Sequence, residues 1–372
     1  MLKKVVEIRR IKEEKKTEDK NFWQNLKAKK KPFFTIAPMA NVTDFAFREI
    51  FAKYGKPDIM WTEFVSAHGL CSEGRKSLIN DLKFSKKQKP IVVQLFSSKP
   101  EKMREACSFV SKFGFDGIDI NMGCPDKGIE KSGAGASLIK NPKLAKQIIE
   151  GAMKGVEDFV KSNIKNNSKK EVSNFYNQIP ISVKTRIGYS KIDLSWIKFL
   201  LKQNLPALTV HLRTRKEMSD VPAHWDIMPE IVKLRNIISP ETLIIGNGDV
   251  ESLADAYEKI EKYGCDGIMV GRGIFGNPWF FNKEFYKKGK TKKDLGTEER
   301  LKVMLEHAKT FHKHLGKVKN FANMKKHFKA YVSGWDGAKE LRVKLMESDG
   351  MEEVEGIVRK YLKSYKHHKS RP

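Results

Sequence analysis

Cysteine is scarce in this chain of 372 residues. Cys71, Cys107, Cys124 and Cys265 lie far apart, and no CxxC pair occurs. That excludes a disulfide framework or a zinc ribbon and makes a reducing cytoplasm the expected compartment. No apolar run approaches eighteen residues, so no membrane span is expected. The opening MLKKVVEIRRIKEEKK lacks the apolar stretch and small-residue site of a secretory signal. HxH and HExxH patterns are missing as well, and a catalytic metal is not expected.

Acidic side chains are also in short supply: 45 Asp and Glu face 72 Lys and Arg, a formal charge of +27. The surplus is uneven. Residues 1–31 hold 12 basic and 5 acidic groups, 32–282 hold 36 and 28, and 283–372 hold 24 and 12. Basic ends suit a polyanionic partner, although they also serve solubility.

With 40% hydrophobic residues, the chain has material for a large core. Short apolar, β-branched runs recur at Phe33–Ala37, Asp58–Thr62, Ile91–Leu95, Gly117–Asn121, Ile181–Lys184, Ala207–His211, Leu243–Gly246 and Gly267–Val270. Helical patterns separate them, and Pro100 and Pro142 stand at first-turn positions. Eight such units predict an α/β fold, a closed (β/α)8 TIM barrel, with an open doubly wound sheet as the alternative. After about residue 280 only helical periodicity remains, so a small all-helical C-terminal domain follows. The expected organisation is a basic, loosely held N-terminal extension (1–31), a barrel (32–290) with a polar insertion at about 155–179, and a basic helical domain (291–372).

In a barrel, chemistry collects at the carboxyl ends of the strands. Those ends read Pro38-Met39-Ala40, Gln94, Asn121-Met122-Gly123-Cys124-Pro125, Lys184-Thr185-Arg186, His211-Leu212-Arg213, Asn247-Gly248-Asp249 and Gly271-Arg272-Gly273. Glycines after strands seven and eight let backbone amides approach a phosphate, and Arg272 adds charge. With Lys184 and Gln94 nearby, they favour a phosphorylated planar cofactor. Cys124, between Gly123 and Pro125, sits at a mobile loop position rather than in the core. Its thiol suits a general acid or a nucleophile equally. Lys184 and Arg186 need anionic or carbonyl partners; an ion pair to Asp119 or Glu63 is the plainer alternative to ligand binding. His211 is read as a ligand contact, with a core histidine as the alternative.

These residues carry a resemblance. Ala37-Pro38-Met39-Ala40 with Val42-Thr43-Asp44, Val93-Gln94, Asp119-Ile120-Asn121-Met122-Gly123-Cys124-Pro125, Val183-Lys184-Thr185-Arg186-Ile187-Gly188, Val210-His211-Leu212-Arg213-Thr214-Arg215, Asn247-Gly248-Asp249 and Val270-Gly271-Arg272-Gly273 look like the tRNA-dihydrouridine synthases. The match runs over roughly residues 33–281, in order and in spacing.

The resemblance implies an FMN enzyme, reduced by NADPH or NADH, that converts particular uridines of tRNA to 5,6-dihydrouridine. It implies that Pro38, Met39 and Ala40 line the flavin, and that Gln94 and Lys184 hydrogen-bond it. Asn247, Gly248, Asp249, Gly271 and Arg272 would hold its phosphate. Asn121, Arg186 and His211 would meet the uracil, and His211 also the flavin. Hydride would pass to C6 of the uracil while Cys124 protonates C5. In the basic tail, Lys325, Lys326, His327 and Arg342 are the candidate tRNA contacts. A monomer is expected. The rival readings are a dihydroorotate dehydrogenase-like enzyme on a small pyrimidine, and an inactive barrel that only binds RNA. The N-terminal extension and the 155–179 insertion have no counterpart in the resemblance.

Overall fold

A computed structural model describes residues 21–163, 179–291 and 294–369. Most of the N-terminal extension and of the polar insertion therefore lies outside the described residues.

Eight parallel strands form the centre: β1 (Phe33–Ile36), β2 (Met60–Ser66), β3 (Ile91–Phe96), β4 (Gly117–Met122), β5 (Ile181–Arg186), β6 (Ala207–His211), β7 (Leu243–Asn247) and β8 (Gly267–Val270). They pair in the order β1-β8-β7-β6-β5-β4-β3-β2. A parallel bridge between Thr35 and Ile59 joins the two ends. The curled, TIM-barrel-like arrangement replaces the open-sheet alternative. The second strand differs from its expected range. It begins at Met60 and runs on to Ser66, because Trp61, Phe64, Val65 and Ser66 pair along β3 across a register shift.

Helices wrap the strands: α1 (Phe22–Lys29), α2 (Phe45–Tyr54), α3 (Pro100–Val110), α4 (Pro142–Asn163), α5 (Leu194–Leu201), α6 (Met228–Ile238) and α7 (Leu253–Tyr263). Their ends follow local chemistry. Asp44 caps α2 through the Phe47 N–H, Pro100 opens α3, and Gly264 ends α7 at a left-handed φ of 77°.

The end of the predicted N-terminal extension is not loosely held. Trp23 of α1 is buried against Phe33 and Trp61, with ring centroids 6.2 and 6.0 Å away. These rings join Ile59, Val92, Ala207, Leu243, Ile245 and Met269 in one cluster at the amino end of the strands. The physical reason is that barrel strands leave an apolar opening there, and the aromatic side chains of α1 cover it.

Beyond the barrel lie α8 (Thr297–Leu315), α9 (Lys325–Tyr331), α10 (Ala338–Glu347) and α11 (Met351–Lys369). α8 begins at Thr297, with Gly296 at its cap position. The core of this region includes Ala46 and Ile50 of α2, so the helical region is packed onto the first βα unit. Among the described residues no helix is long and apolar enough to cross a membrane.

Candidate active site

Residues two apart on a strand share a face. That rule brings Asp119 and Asn121, Lys184 and Arg186, and Thr209 and His211 together. The register aligns Gln94 with Asp119, Asn121 with Lys184, Arg186 with His211, and His211 with Asn247.

A buried hydrogen-bond chain underlies the mouth. Ser182 Oγ and Gln94 Nε2 donate to the two oxygens of Asp119, at 2.6 and 2.7 Å. Asn121 Nδ2 donates to Gln94 Oε1 at 3.0 Å. Burial pushes the Asp119 carboxyl up to about 6, against the pull of these donors and of Lys184. The other end of Asn121 faces the cysteine loop: its Oδ1 accepts the N–H groups of Gly123 and Cys124, at 3.1 and 2.9 Å.

The Cys124 loop is held rather than mobile. Besides the two bonds to Asn121, the Cys124 carbonyl accepts the Ala136 N–H at 2.9 Å. Gly135 crosses close by with φ of 61°, and a Cβ on it would lie 2.7 Å from the Cys124 carbonyl oxygen. The thiol itself is half-buried. That partial burial raises its pKa, against a backbone hydrogen bond near Asp126 that lowers it. The sulfur therefore carries its proton at neutral pH, the state a general acid needs.

Lys184 Nζ donates to Asn247 Oδ1 at 3.1 Å, and Asn247 Nδ2 donates to the Met269 carbonyl at 2.8 Å. Asn247 thus orients the lysine; no ion pair to Asp119 or Glu63 is formed. Burial and neighbouring Arg186 bring Lys184 down to about 8. His211 Nε2 lies 3.4 Å from Arg213 Nη1. Arginine only donates, so Nε2 accepts and the ring proton sits on Nδ1. Burial, with Lys184, Arg186, Arg213 and Arg272 around it, holds the His211 pKa far below its usual value. The imidazole is neutral.

Two expected contacts receive other tasks. Arg186 directs Nε to the Gly123 carbonyl at 2.9 Å, and Nη1 to the carbonyls of Thr214 and Met218 at 2.9 and 3.1 Å. These donors tie the cysteine loop to the loop after β6. The Asp249 carboxylate accepts from Arg213, from Arg272 at 3.1 Å and from the Ala223 N–H at 2.8 Å. A carboxylate repels a phosphate; this one aims two arginines. Arg213 is the site residue that motif reading left without a role, and its signal was its place two residues after His211 on the same extended segment.

Gly248 (φ 134°) and Gly271 complete this side. Around Gly271, the nearest atoms to a built Cβ are Ala37 Cβ and Met39 Sδ, both at 3.8 Å. The loop after β1, with Pro38, Met39 and Ala40, therefore faces the glycine loop after β8. Thr43 Oγ1 accepts the Met39 N–H at 2.9 Å and fixes that loop.

The four tail residues are not equivalent. Lys325 and Lys326, at the start of α9, are half-buried. His327 is 1% exposed, stacked 6.1 Å from Phe275 and 4.7 Å from the His307 ring. It is a core residue of the helical region and not a phosphate contact, because the rings packed on it leave no path to solvent. Arg342 donates from Nη1 to the Val332 carbonyl at 2.9 Å, linking α10 to the end of α9.

The donor set at the mouth fits a flavin phosphate. It combines the exposed cation Arg272, held by Asp249, with two glycine loops that carry no side chain of their own.

The profile described as dihydrouridine synthase (Dus) matches residues 35–366. A probable tRNA-dihydrouridine synthase of Staphylococcus aureus (strain COL) is 38% identical over 342 residues, covering 91% of this chain and 94% of its own. The probable tRNA-dihydrouridine synthase 2 of Bacillus subtilis (strain 168) is 37% identical over 351 residues, covering 92% and 98%. Among solved structures, a variant of NCR from Zymomonas mobilis aligns at a TM-score of 0.45 and 16% identity, over 70% of this chain and 88% of that one. With a barrel mouth built from the motifs above and relatives of this identity along nearly its whole length, the chain belongs to the dihydrouridine synthase family.

Proposed function

We propose that this protein is a tRNA-dihydrouridine synthase that holds FMN at the barrel mouth and takes electrons from NADPH or NADH. The observation that carries the reading is a half-buried thiol on a loop held by Asn121 and Ala136, at the same end of the barrel as Lys184, Arg272 and two glycine loops. Bound there, FMN would supply a hydride to C6 of a uracil turned out of the tRNA.

The chain's own groups do the rest. Cys124 gives its proton to C5, which completes the two-electron reduction of the 5,6 double bond. Asn121 fixes the Cys124 backbone and, through Gln94 and Asp119, ties it to the barrel interior. Lys184, held by Asn247, offers a cation to the flavin ring system. Arg272, aimed by Asp249, meets the phosphate together with the backbone of Gly248 and Gly271, and Arg213, whose nitrogens go to the Val221 carbonyl, His211 and Asp249, braces that carboxylate from inside. Neutral His211 donates from Nδ1 to a carbonyl of the base or flavin. Pro38, Met39 and Ala40 form the apolar wall of the ring site. Lys325 and Lys326 remain the tail residues suited to tRNA phosphates. The reaction belongs in the cytoplasm, and a single subunit carries every group named.

The experiment is direct. The purified protein is incubated with FMN, NADPH and an unmodified tRNA transcript, and dihydrouridine is measured by mass spectrometry of the digested RNA. Dihydrouridine at one or a few positions is the expected result. Its absence, with oxidation of free dihydroorotate instead, would move the protein to the small-pyrimidine reading. A colourless protein that binds tRNA without turnover would make it an RNA-binding barrel.

A further inference from the structure

The loop that faces the flavin site has one support outside the barrel. Asn41, next to Ala40, adopts a left-handed φ of 55°, and its N–H is accepted by Glu63 Oε1 at 2.5 Å. Glu63 stands on β2 and is almost fully buried. Its second oxygen accepts from Lys319 Nζ at 2.6 Å. Lys319 comes from the turn between α8 and α9, 256 residues along the chain. It also pairs with Asp81 at 2.7 Å, and its side chain is 12% exposed.

Lys319 is the cation that touches these carboxylates directly, while Arg48 and Lys326 act on Glu63 and Asp44 through space. Asp44, Glu63 and Asp81 all lie near it. The Asp44 carboxyl is pushed up to about 6 by burial and by Glu63, while Lys319 and Arg48 oppose the rise. Arg48 gives its hydrogen bonds to uncharged groups: Gln88 Oε1, the Thr43 carbonyl and the Lys83 carbonyl. Among the described residues, Lys319 is the only cation in ion-pair contact with Glu63.

We propose that Lys319 is a positioning residue for the flavin-facing loop: through Glu63 it holds the Asn41 backbone, and so the helical region helps to shape the cofactor site. Without Lys319, Glu63 would lose its contacting cation and stand beside Asp44 and Asp81 with only the longer-range charges of Arg48 and Lys326. It would then take up a proton or turn toward water, and either change weakens its grip on Asn41. The inference rests on the flavin reading above and adds a residue from outside the barrel to it.

The test is FMN titration of the flavin-free full chain, read by quenching of flavin fluorescence. Lys319→Met should raise the FMN Kd about tenfold, the size set by one lost charge-assisted hydrogen bond. Lys319→Arg should restore it to within about twofold, since a cation returns. Asp81→Asn should leave it within about twofold, because the Lys319–Glu63 pair stays. In a Glu63→Gln background the Lys319→Met effect should disappear, because the neutral amide at 63 holds Asn41 without a cation. That cycle also serves if the single Lys319→Met variant folds poorly.

A merely structural lysine would act otherwise: Lys319→Met and Asp81→Asn would lower the melting temperature alike and leave FMN affinity unchanged. That pattern, or an undiminished Lys319→Met effect in the Glu63→Gln background, would overturn the proposal. Absence of FMN binding by the parent protein would overturn the flavin reading and this proposal together. Binding by the parent with an unaffected Lys319→Met would overturn this proposal alone.

Discussion

At the amino end of the strands, glycine begins β4 and β8, and aromatic rings fill the space it leaves. A Cβ on Gly267 would lie 2.6 Å from the Phe33 ring, and one on Gly117 would lie 3.1 Å from Phe22. At the carboxyl end β4, β5, β6 and β7 carry Asn121, Lys184, His211 and Asn247, and Gly271 after β8 leaves room beside Met39. One end is closed by an apolar lid from α1. The other is kept open by polar groups that hold one another in place. The difference shows how a single set of alternating strands separates stability from chemistry.

The sharpest way to break this comparison is Cys124→Ala. It should lower dihydrouridine formation by about 10²–10⁴, the usual worth of a general acid, while the protein stays yellow. Near-normal turnover would take the proton donor away from this loop. At the opposite end, Trp23→Ala should cost about 3–5 kcal/mol of stability in urea denaturation, as for other buried aromatics. The KM for tRNA should be unchanged. A raised KM with intact stability would mean that the lid takes part in substrate binding.

The helical region sharpens the contrast through pH. His307 and His327 are buried together, and none of their four ring nitrogens has a hydrogen-bond partner among the described residues. Burial lowers His307 from 6.5 to about 3, and burial with His307 and Lys326 lowers His327 well below 6.5. The unfolded chain therefore binds these protons first. Stability from this pair is present above 6.5 and falls as pH drops from there toward 3. Asp44 and Asp119, raised to about 6, act in the opposite sense: their cost is relieved as pH falls from about 6 toward 3.8. Urea melts at pH 7.5 and 4.5 should show the histidine loss, and His307→Phe should reduce it. An unchanged pH slope in that variant would remove the pair as its source. The smallest effect is expected from Arg272→Ala, since that side chain is 63% exposed. FMN retention should weaken by roughly threefold to tenfold, measured by gel filtration followed by absorbance. Unchanged retention would leave phosphate binding to the glycine loops.

Much of the barrel was legible because its signals are local. Each strand is a short apolar run, each helix has a cap or a proline, and the polar residues follow the strands in sequence. The second strand was placed too early because Trp61 to Ser66 mixes polar and apolar residues, and only pairing across a register shift reveals its length. The site residues could be named from motifs, but not their partners. Asp249 reads as part of a phosphate loop, and its pairing with Arg213 and Arg272 has no sequence signal. His327 looks like one more basic residue in a basic tail until Phe275 and His307 are packed against it. Lys319 has no local signal, because its meaning depends on Glu63 far away in the chain. The lid role of Trp23 was hidden for the same reason: α1 looks like the end of a charged extension until the barrel opening beneath it exists.

Gly135 carries a burden that no measure of charge or polarity would reveal. Replacing it with alanine would touch no ionisable group, yet the new methyl would press on the peptide oxygen of Cys124. The neighbouring sulfur would be re-aimed from behind, and a variant of that kind could keep its colour, its fold and its RNA while losing its product.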